Sequence, residues 1–254
     1  MKFRSPLLRL TQYAIFIFVI ILLSACRQGE WESLFNGKDL DGWTVKCIPS
    51  DQAKIYWSVV DGAIECNSMG DKEHNYVWLT SDREFTDFHL KLKFQVFRDC
   101  QGNSGVQFRS SYDSSDTARY GGWLNGPQVD IHGPVPFRCG LIYDETENVR
   151  RWIYPSLPDW KILEEQAPAG ALKTSLFYYE DDPEQWNDME ILCEGMHVIT
   201  VVNGNQVSDF QGEGILDDQQ HKIRLSGEIG CLAFQLHSID ELKIRFKDIN
   251  IKEL

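Results

Sequence analysis

Apolar and polar residues alternate along much of the chain, and the clearest example lies between residues 88 and 96. Every second position there is apolar: Phe88, Leu90, Leu92, Phe94 and Val96. The positions between them are polar or charged: His89, Lys91, Lys93 and Gln95. Because successive side chains of a β-strand point to opposite faces, this pattern predicts a strand with one buried and one solvent-facing side.

Short turn signals separate the apolar runs and predict β-hairpins. Asp61-Gly62 lies between the runs 57–60 and 63–66, and Asn203-Gly204-Asn205 follows the run 197–202. Asp-Gly and Asn-Gly pairs adopt the positive φ angles that two-residue hairpin turns require. Two further apolar runs near the end of the chain, 229–236 and 242–251, predict closing strands.

Helical periodicity is scarce. The stretch 155–172 contains helix-forming residues, as at 161–166, but Pro155, Pro158 and Pro168 interrupt it, so we expect a long loop with one short helix. Strands separated by turns, without helices between them, favour an antiparallel arrangement over a parallel α/β sheet. The sequence therefore predicts an all-β fold, an antiparallel β-sandwich with few short helices in its loops and no second domain.

The first residues have the pattern of a secretory leader. Lys2, Arg4 and Arg9 precede an unbroken apolar run at 13–23, and Leu23-Ser24-Ala25-Cys26 follows at once. This run is shorter than the about 20 apolar residues of a spanning helix, which makes a stable transmembrane helix the weaker interpretation. Leu-Ser-Ala-Cys also resembles the bacterial lipobox, in which the cysteine is lipidated and becomes the new N-terminus.

These features predict an exported lipoprotein, anchored through Cys26 to a membrane of the cell envelope and facing the periplasm or the cell exterior. We expect residues 1–25 to be a lipoprotein signal peptide, residues 26–30 a lipidated N-terminus with a short linker, and residues 31–254 a single domain. An ordinary signal peptide with a cysteine near its cleavage site is the alternative. Oligomeric state is not encoded in any pattern that we can identify.

Charge and cysteine content exclude some classes of function. The formal net charge is −13, and loss of the three basic leader residues takes it to −16. Nucleic-acid binding needs clustered cations against phosphate, so that class of partner is disfavoured. The six cysteines after Cys26 form no Cys-x-x-Cys motif of the zinc or redox kind. We expect mostly buried free thiols, with one or two disulfides as the alternative.

A series of short motifs runs in order through residues 31–254. They are LFNGKDLDGW at 34–43, WSVVDG at 57–62, FHLKLKF at 88–94, NSGVQFR at 103–109, QVDI at 128–131, GLIYDE at 140–145, WN at 186–187, NG at 203–204, QLH at 235–237 and RFKDI at 245–249. In this order and spacing the chain resembles the 3-keto-disaccharide hydrolase family.

The resemblance implies a concanavalin A-like jelly-roll sandwich. It also implies action on glycosides whose C3 hydroxyl has been oxidised to a ketone, or on related sugars. Many family members carry Glu and then Gln two residues apart where this chain has Gln128 and Asp130. That departure weakens the transfer of a catalytic acid to position 128.

The candidate site residues alternate with apolar residues on three predicted strands. Strand by strand they are Gln128, Asp130 and His132; Gln107 and Arg109; and Gln235 and His237. Because alternate positions share one face, we expect each set to emerge together and to offer donors and acceptors to a sugar. Arg109 has a fixed fork of donors for an oxyanion. For the set at 128–132 the alternative is a solvent-facing strand without function. For Arg109 it is pairing with a nearby acid on the sheet surface, and for His237 a structural hydrogen bond.

Two further candidates come from turns and strand ends. Glu145 follows an apolar run, with Tyr143 and Asp144 before it, and its carboxylate suits proton transfer or the orientation of a sugar. Trp123 lies amid Gly121, Gly122 and Gly126, and we predict a loop aromatic that stacks on a sugar ring. Packing in the core is the alternative for a tryptophan.

The run Gln128 to Gly133 lacks both glutamates of the Glu-x-Asp-x-x-Glu motif of sandwich glucanases, which disfavours double displacement by two carboxylates. A 3-keto sugar offers another route, because the ketone acidifies the C2 proton. A base can remove that proton, the C1 leaving group can depart, and water can then add. Catalytic candidates are Asp130, His237 and Glu145. Substrate-binding candidates are Arg109, Gln128, His132, Gln107, Gln235 and Trp123.

Donors for the ketone oxygen are the second need of this chemistry, and a divalent metal is the one cofactor that could replace them. The same fold and polar face also suit a lectin, so a non-catalytic carbohydrate-binding lipoprotein is the main alternative to an enzyme. A surface domain without a ligand is the third.

Overall fold

The structure is a computed structural model that describes residues 29–132, 138–154, 156–157, 178–179, 182 and 184–254. The chain divides into the units Met1–Glu30 and Trp31–Leu254, and the strands described below belong to the second unit. The leader, Cys26 and the short helix expected at 161–166 lie outside the described residues. In the described part, no helix is long and apolar enough to cross a membrane.

Seventeen strands, numbered β1 to β17 in chain order, form two sheets in the described residues. The first is eight-stranded, and seven of its strands follow one another in the order β15 (Asn205–Gln211), β14 (His197–Val202), β13 (Asn187–Glu194), β6 (Phe88–Gln101), β17 (Leu242–Glu253), β4 (Ala63–Asn67) and β3 (Trp57–Val60). β1 (Glu32–Ser33) pairs with β17.

The second sheet is nine-stranded and carries the candidate site. Its order is β12 (Ser156–Leu157), β11 (Arg151–Tyr154), β10 (Ile142–Asp144), β9 (Pro127–Ile131), β7 (Ser104–Asp113), β16 (Gly230–Leu236), β5 (Val77–Phe85) and β2 (Trp43–Cys47). β8 (Trp123–Asn125) pairs with the end of β7. Neighbouring strands within both sheets are antiparallel, which confirms the predicted all-β, antiparallel sandwich.

The turn signals act as the sequence predicts. Asp61 and Gly62, which join β3 to β4, have φ angles of 50° and 75°, and Asn203 and Gly204, which join β14 to β15, have 49° and 75°. Two successive positive φ angles match the right-handed twist of the flanking strands and close each hairpin tightly. Only residues with a low cost in the left-handed region fit there, which is why these dipeptides mark both turns.

The core fills the space between the two sheets. The alternating apolar positions of β6 point into it, and across the core the rings of Phe234 and Phe246 stack at 4.0 Å between centroids. Each fully buried side chain of this size contributes about 1.5–3 kcal/mol. In the part of the chain that the structure describes, one short helix, α1 (Gln219–Arg224), and two 3-10 turns at Pro49–Asp51 and Arg119–Gly121 lie in the connections. Five described cysteines are free thiols: Cys47, Cys66, Cys139, Cys193 and Cys231.

Candidate functional site

The outer face of the nine-stranded sheet carries a row of amide side chains. Val106, Val129 and Phe234 belong to the core, so their neighbours Gln107, Gln128 and Gln235 point to the opposite side. Gln107 lies directly opposite Gln128 in the register of β7 and β9. Other side chains cover all three amides, which are at most 1% exposed.

A narrow cleft adjoins these amides. Its lining comes from two adjacent strands, β9 and β10, and from the loops around them: Asn103, Gln128, Asp130, Arg138, Tyr143, Glu145 and His237. The cavity volume between these side chains is about 10 Å³. The structure thus brings the three candidate catalytic residues, Asp130, Glu145 and His237, to one cleft.

Asp130 is 2% exposed at the cleft and has few partners for its charge. Its Oδ1 accepts a hydrogen bond of 3.4 Å from Gln128 Nε2, and its Oδ2 lies 3.6 Å from Arg138 Nε. Burial raises the pKa of Asp130 to about 7; Arg138 acts against this rise, and the charge of Glu145 adds to it. A carboxylate with such a pKa is suited to take and return protons near neutral pH.

Glu145 lies just beyond β10, with its carboxylate between Gln235 and Arg150. Gln235 Nε2 donates to its Oε1 at 3.3 Å, and Arg150 Nε lies 3.6 Å from its Oε2. Burial raises the pKa of Glu145, while Arg150 and Gln235 act in the opposite direction. Burial therefore raises the pKa of both carboxyl groups of the cleft, Asp130 and Glu145.

His237 is held by hydrogen bonds at both ring nitrogens. Nε2 is 2.8 Å from the hydroxyl of Tyr76, and Nδ1 is 3.1 Å from the Ser238 carbonyl and 3.5 Å from Asp240 Oδ2. Burial lowers the pKa of His237, and the positive charges of Arg150 and Arg138 add to this effect. The neutral ring with its proton on Nδ1 then accepts the Tyr76 O–H, a tautomer that we assign from these partners.

His132 follows the end of β9 and lies close to the same groups. Burial lowers its pKa to about 4, and the charges of Arg138 and His237 contribute to that shift. The imidazole is therefore neutral at pH 7, and its buried Nδ1 has no hydrogen-bond partner among the described residues. It is available as an uncharged donor or acceptor.

The three glutamines offer unpaired acceptors. The amide nitrogens of Gln107, Gln128 and Gln235 donate to Leu124 O, Asp130 and Glu145, whereas their buried Oε1 atoms have no partner among the described residues. A buried polar atom without a hydrogen bond costs about 1–3 kcal/mol, so a cluster of three indicates a place where a ligand or water donates. Gly105 permits this packing, because a Cβ there would lie 2.4 Å from Gln128 Cδ.

Comparison with known proteins assigns the chain to a family. Residues 30–252 match the family described as 3-keto-alpha-glucoside-1,2-lyase-like domain. The chain belongs to this family. The resemblance to 3-keto-disaccharide hydrolases that the motifs predict is confirmed, and the chain contains a carbohydrate-active domain of the glycosyl hydrolase kind. No curated protein sequence matches this chain.

Solved structures support the fold assignment of this 3-keto-alpha-glucoside-1,2-lyase-like domain. Two crystal structures of proteins from Parabacteroides distasonis described as glycosyl hydrolases have 21% and 20% identity, cover 89% of this chain and 94% and 100% of theirs, and give TM-scores of 0.50 and 0.53. The VIP36 exoplasmic/lumenal domain, solved with Ca2+ and Man3GlcNAc, has 10% identity, 90% coverage of both chains and a TM-score of 0.51. At these identities the likeness concerns the fold alone.

Of the six predicted binding residues, Gln128 lines the cleft, and Arg109 lies away from it. Arg109 is 1% exposed and donates to the carbonyls of Thr86 and Gly195, both at 2.7 Å, and to Asp87 Oδ1 at 3.0 Å. Its φ of 47° breaks the alternation of β7, and the register with β16 shifts there. The prediction that Arg109 shares the face of Gln107 is therefore wrong: it ties the nine-stranded sheet to loops of the other sheet.

The prediction that Trp123 is a loop aromatic that stacks on a sugar ring is also wrong. Trp123 lies on β8 instead of in a loop, and it is 0% exposed, so its ring cannot stack on a sugar. Its Nε1 donates to the Glu145 carbonyl at 2.7 Å, and the guanidinium groups of Arg119 and Arg150 lie 4.7 and 5.4 Å from the ring. Trp123 instead supports the wall of the cleft behind Glu145.

Sequence patterns in the lyase-like domain did not reveal four residues of the site: Asn103, Arg138, Arg150 and Tyr76. Three of them lie in loops or turns between strands, where no periodicity indicates which side chains converge. Tyr76 directly precedes β5, and only the tertiary structure brings its hydroxyl to His237. The one available signal was the cluster of Arg138, Arg150 and Arg151 around the candidate Glu145 in an acidic chain.

Metal binding has no ready-made cluster in the domain. Within the described ranges, no group of three or more His, Cys, Asp and Glu side chains is arranged to hold a metal ion. Amide oxygens fall outside that set, and hard cations accept them as ligands. The divalent metal considered from the sequence therefore stays a prediction, to be tested by chelation.

Proposed function

We propose that this protein cleaves 3-keto-glycosides by proton abstraction at C2, elimination at C1 and addition of water. The observation that carries the proposal is a pair of buried carboxyl groups at one cleft, Asp130 and Glu145, both with raised pKa values. Membership of a family described as 1,2-lyase-like supports it, because a 1,2-lyase breaks the C1 bond while the C2 proton leaves.

Asp130 is the base in this proposal. Its carboxylate takes the C2 proton, whose bonding electrons move into the C2–C3 bond as the ketone becomes an enolate. Arg138 and Gln128 contact Asp130 and hold it in place. The guanidinium groups of Arg138 and Arg150 provide positive charge at the cleft, and such charge stabilises an enolate more than the neutral ketone.

Glu145 is the acid in this proposal, because burial raises its pKa and so favours the protonated form that an acid needs. The enolate re-forms the ketone, its electrons make a C1–C2 double bond, and the C1–O bond breaks. The leaving oxygen takes the Glu145 proton. Water then adds to C1 and a proton returns to C2, so that the net reaction is hydrolysis to a 3-keto sugar and an alcohol.

The neutral pair of His237 and Tyr76 has a supporting role. One hydrogen bond joins them, and both lie beside the carboxylates, where they suit binding of a sugar hydroxyl. The Oε1 atom of Gln128, which lines the cleft and has no partner among the described residues, suits acceptance from a further hydroxyl. His237 is the second candidate for the base, since a neutral imidazole can also take a proton.

The first experiment is turnover of 3-keto-glucosides of both anomers by the purified protein, with and without EDTA, followed by release of the aglycone. We expect catalytic release from one anomer, and loss of release with EDTA would add a metal to the mechanism. No release from either anomer, together with saturable sugar binding, would contradict the enzyme and favour the carbohydrate-binding alternative.

We propose further that the protein is exported and anchored through a lipid on Cys26. The basic start, the short apolar run and the Leu-Ser-Ala-Cys sequence support this proposal. Radiolabelled palmitate fed to expressing cells should enter the wild-type chain and the membrane fraction. The variant Cys26→Ser should take up no label, whereas equal labelling of the variant would rule Cys26 out as the anchor.

A further inference from the structure

The loop between β10 and β11 carries two residues of the cleft. Glu145 opens this loop, and Arg150 closes it immediately before Arg151 begins β11. Its backbone is fixed at several points: Glu145 N donates to Gly126 O, Glu147 N to Asn125 Oδ1, and Arg150 N to Thr146 O. The position of the Glu145 carboxylate therefore depends on the contacts that hold this loop in place.

Helix α1 contacts the loop at two points. His221 Nε2 lies 3.2 Å from Asp144 Oδ2, and both side chains are completely buried. One turn further, Arg224 forms an ion pair with Glu147 and a second with Asp113 Oδ2 at 3.1 Å. Residues three apart on a helix share a face. His221 therefore contacts Asp144, and Arg224 contacts Glu147, so that the two contacts lie on either side of Glu145 in the sequence.

His221 is enclosed by charge on both ring edges. Its Nδ1 lies 2.9 Å from Asp218 Oδ1, and Asp218 also caps the helix by accepting from the backbone N–H groups of Gln220 and His221. Arg151 completes the surroundings, with its guanidinium 4.0 Å from Asp144 Oδ2 and 3.8 Å from Asp218 Oδ2. Among the described residues, the charged groups that face the imidazole are thus two carboxylates and, behind them, one guanidinium.

We propose that His221 is a positioning residue of the site, which in its protonated form joins α1 to Asp144 and so holds Glu145 and Arg150 in the geometry for catalysis. This inference rests on the proposed function for its kinetic consequence, but the contact itself does not. Both ring nitrogens of His221 are buried against carboxylates, Nδ1 at 2.9 Å from Asp218 Oδ1 and Nε2 at 3.2 Å from Asp144 Oδ2, so neither reaches a substrate.

The proton on His221 gives the contact a pH dependence. Burial lowers the pKa of His221, but hydrogen bonds to Asp144 and Asp218 and their charges outweigh it, so the pKa lies above its ordinary value. The stabilisation is complete below the ordinary pKa of about 6.5 and is lost as the pH rises through the raised value. Activity should therefore fall on the alkaline side as the contact weakens.

The decisive variant is Asp218→Asn. Asparagine caps a helix as well as aspartate does, so the substitution removes the charge beside Nδ1 and keeps the helix start. We expect the alkaline limb of kcat to move to lower pH by about one unit, with KM little changed. His221→Gln should remove that limb and lower kcat about tenfold. A limb at the same pH in Asp218→Asn would overturn the proposal, even if Tm falls.

Two further measurements test whether the pH effect comes from His221. His197→Gln removes the exposed His197–Asp209 pair on the other sheet and should leave the limb unchanged. Carbon-13 NMR of the Glu145 carboxyl needs no turnover: its shift should show a second inflection at the pH where the His221 ring titrates, and that inflection should move in Asp218→Asn. If the protein shows no turnover but the Glu145 shift has this inflection, the proposed function fails and the link between His221 and Glu145 stands. If the Glu145 shift shows no inflection where His221 titrates, that link is overturned.

Discussion

Substitution of Asp130 by Asn is expected to lower turnover of a 3-keto-glycoside by about a thousandfold, because a positioned general base contributes about 10²–10⁴-fold. Asn has nearly the same shape and cannot take the C2 proton. Gln128 and Arg138, the two side chains that contact the carboxylate, remain in place. The measurement is kcat for aglycone release by the purified variant, compared with wild type.

Stability should not fall in this variant. Burial raises the pKa of Asp130 to about 7, above its value of about 3.9 in an unfolded chain, so the ionised side chain opposes folding as the pH rises through that range. Loss of the charge removes this unfavourable contribution at pH 8. We expect Tm of the Asn variant at pH 8 to equal or exceed that of wild type.

The wild-type enzyme should show the matching pH profile. Only the carboxylate form of Asp130 is a base, so kcat should rise with pH through about 7. The exposed pair of Asp188 and Lys93 on the other sheet supplies the control variant, Asp188→Asn, which should retain full activity. Unchanged turnover in the Asp130 variant would exclude it as the base and transfer that role to His237.

Local sequence pattern predicts the strands because their determinants are local. Alternation assigns Gln128 and Asp130 to one side of β9, and the Asp61-Gly62 and Asn203-Gly204 turns require no tertiary information. The same alternation places Gln235 beside the cleft on β16. These residues share a face with their neighbours because a strand repeats every two residues, and no bulge intervenes within β9.

The parts of the site that were not predicted depend on contacts distant in the sequence. Arg138 and Arg150 reach the carboxylates from loops, and His221 reaches Asp144 from a helix that no periodicity in the sequence indicated. The prediction for Arg109 failed because of a local backbone irregularity, and not because of a distant contact. A single residue with positive φ reverses the side-chain alternation of β7, and nothing in the local sequence marks an arginine as the residue that adopts it.

Replacement of Arg109 by Leu is expected to destabilise the fold by about 3 kcal/mol or more. The guanidinium group of the buried Arg109 donates to Thr86 O, Gly195 O and Asp87, and leucine at that position would remove all three hydrogen bonds. Asp87 Oδ1 also accepts from Gly195 N at 3.0 Å. Arg109 contacts both of these residues, so its loss removes two of the hydrogen bonds that hold the turn at Gly195. Urea unfolding of both proteins measures the difference.

Kinetics separate this structural role from the binding role that alternation predicts. If Arg109 fixes loops between the sheets, the folded Arg109→Leu variant at low temperature should keep its KM within about twofold, since none of the contacts described for it involves the cleft. A large rise in KM with an unchanged free energy of unfolding would reverse the assignment. Arg83→Leu is the control: Arg83 is 49% exposed and paired with Glu32 and Glu253, and its loss should cost less than about 1 kcal/mol.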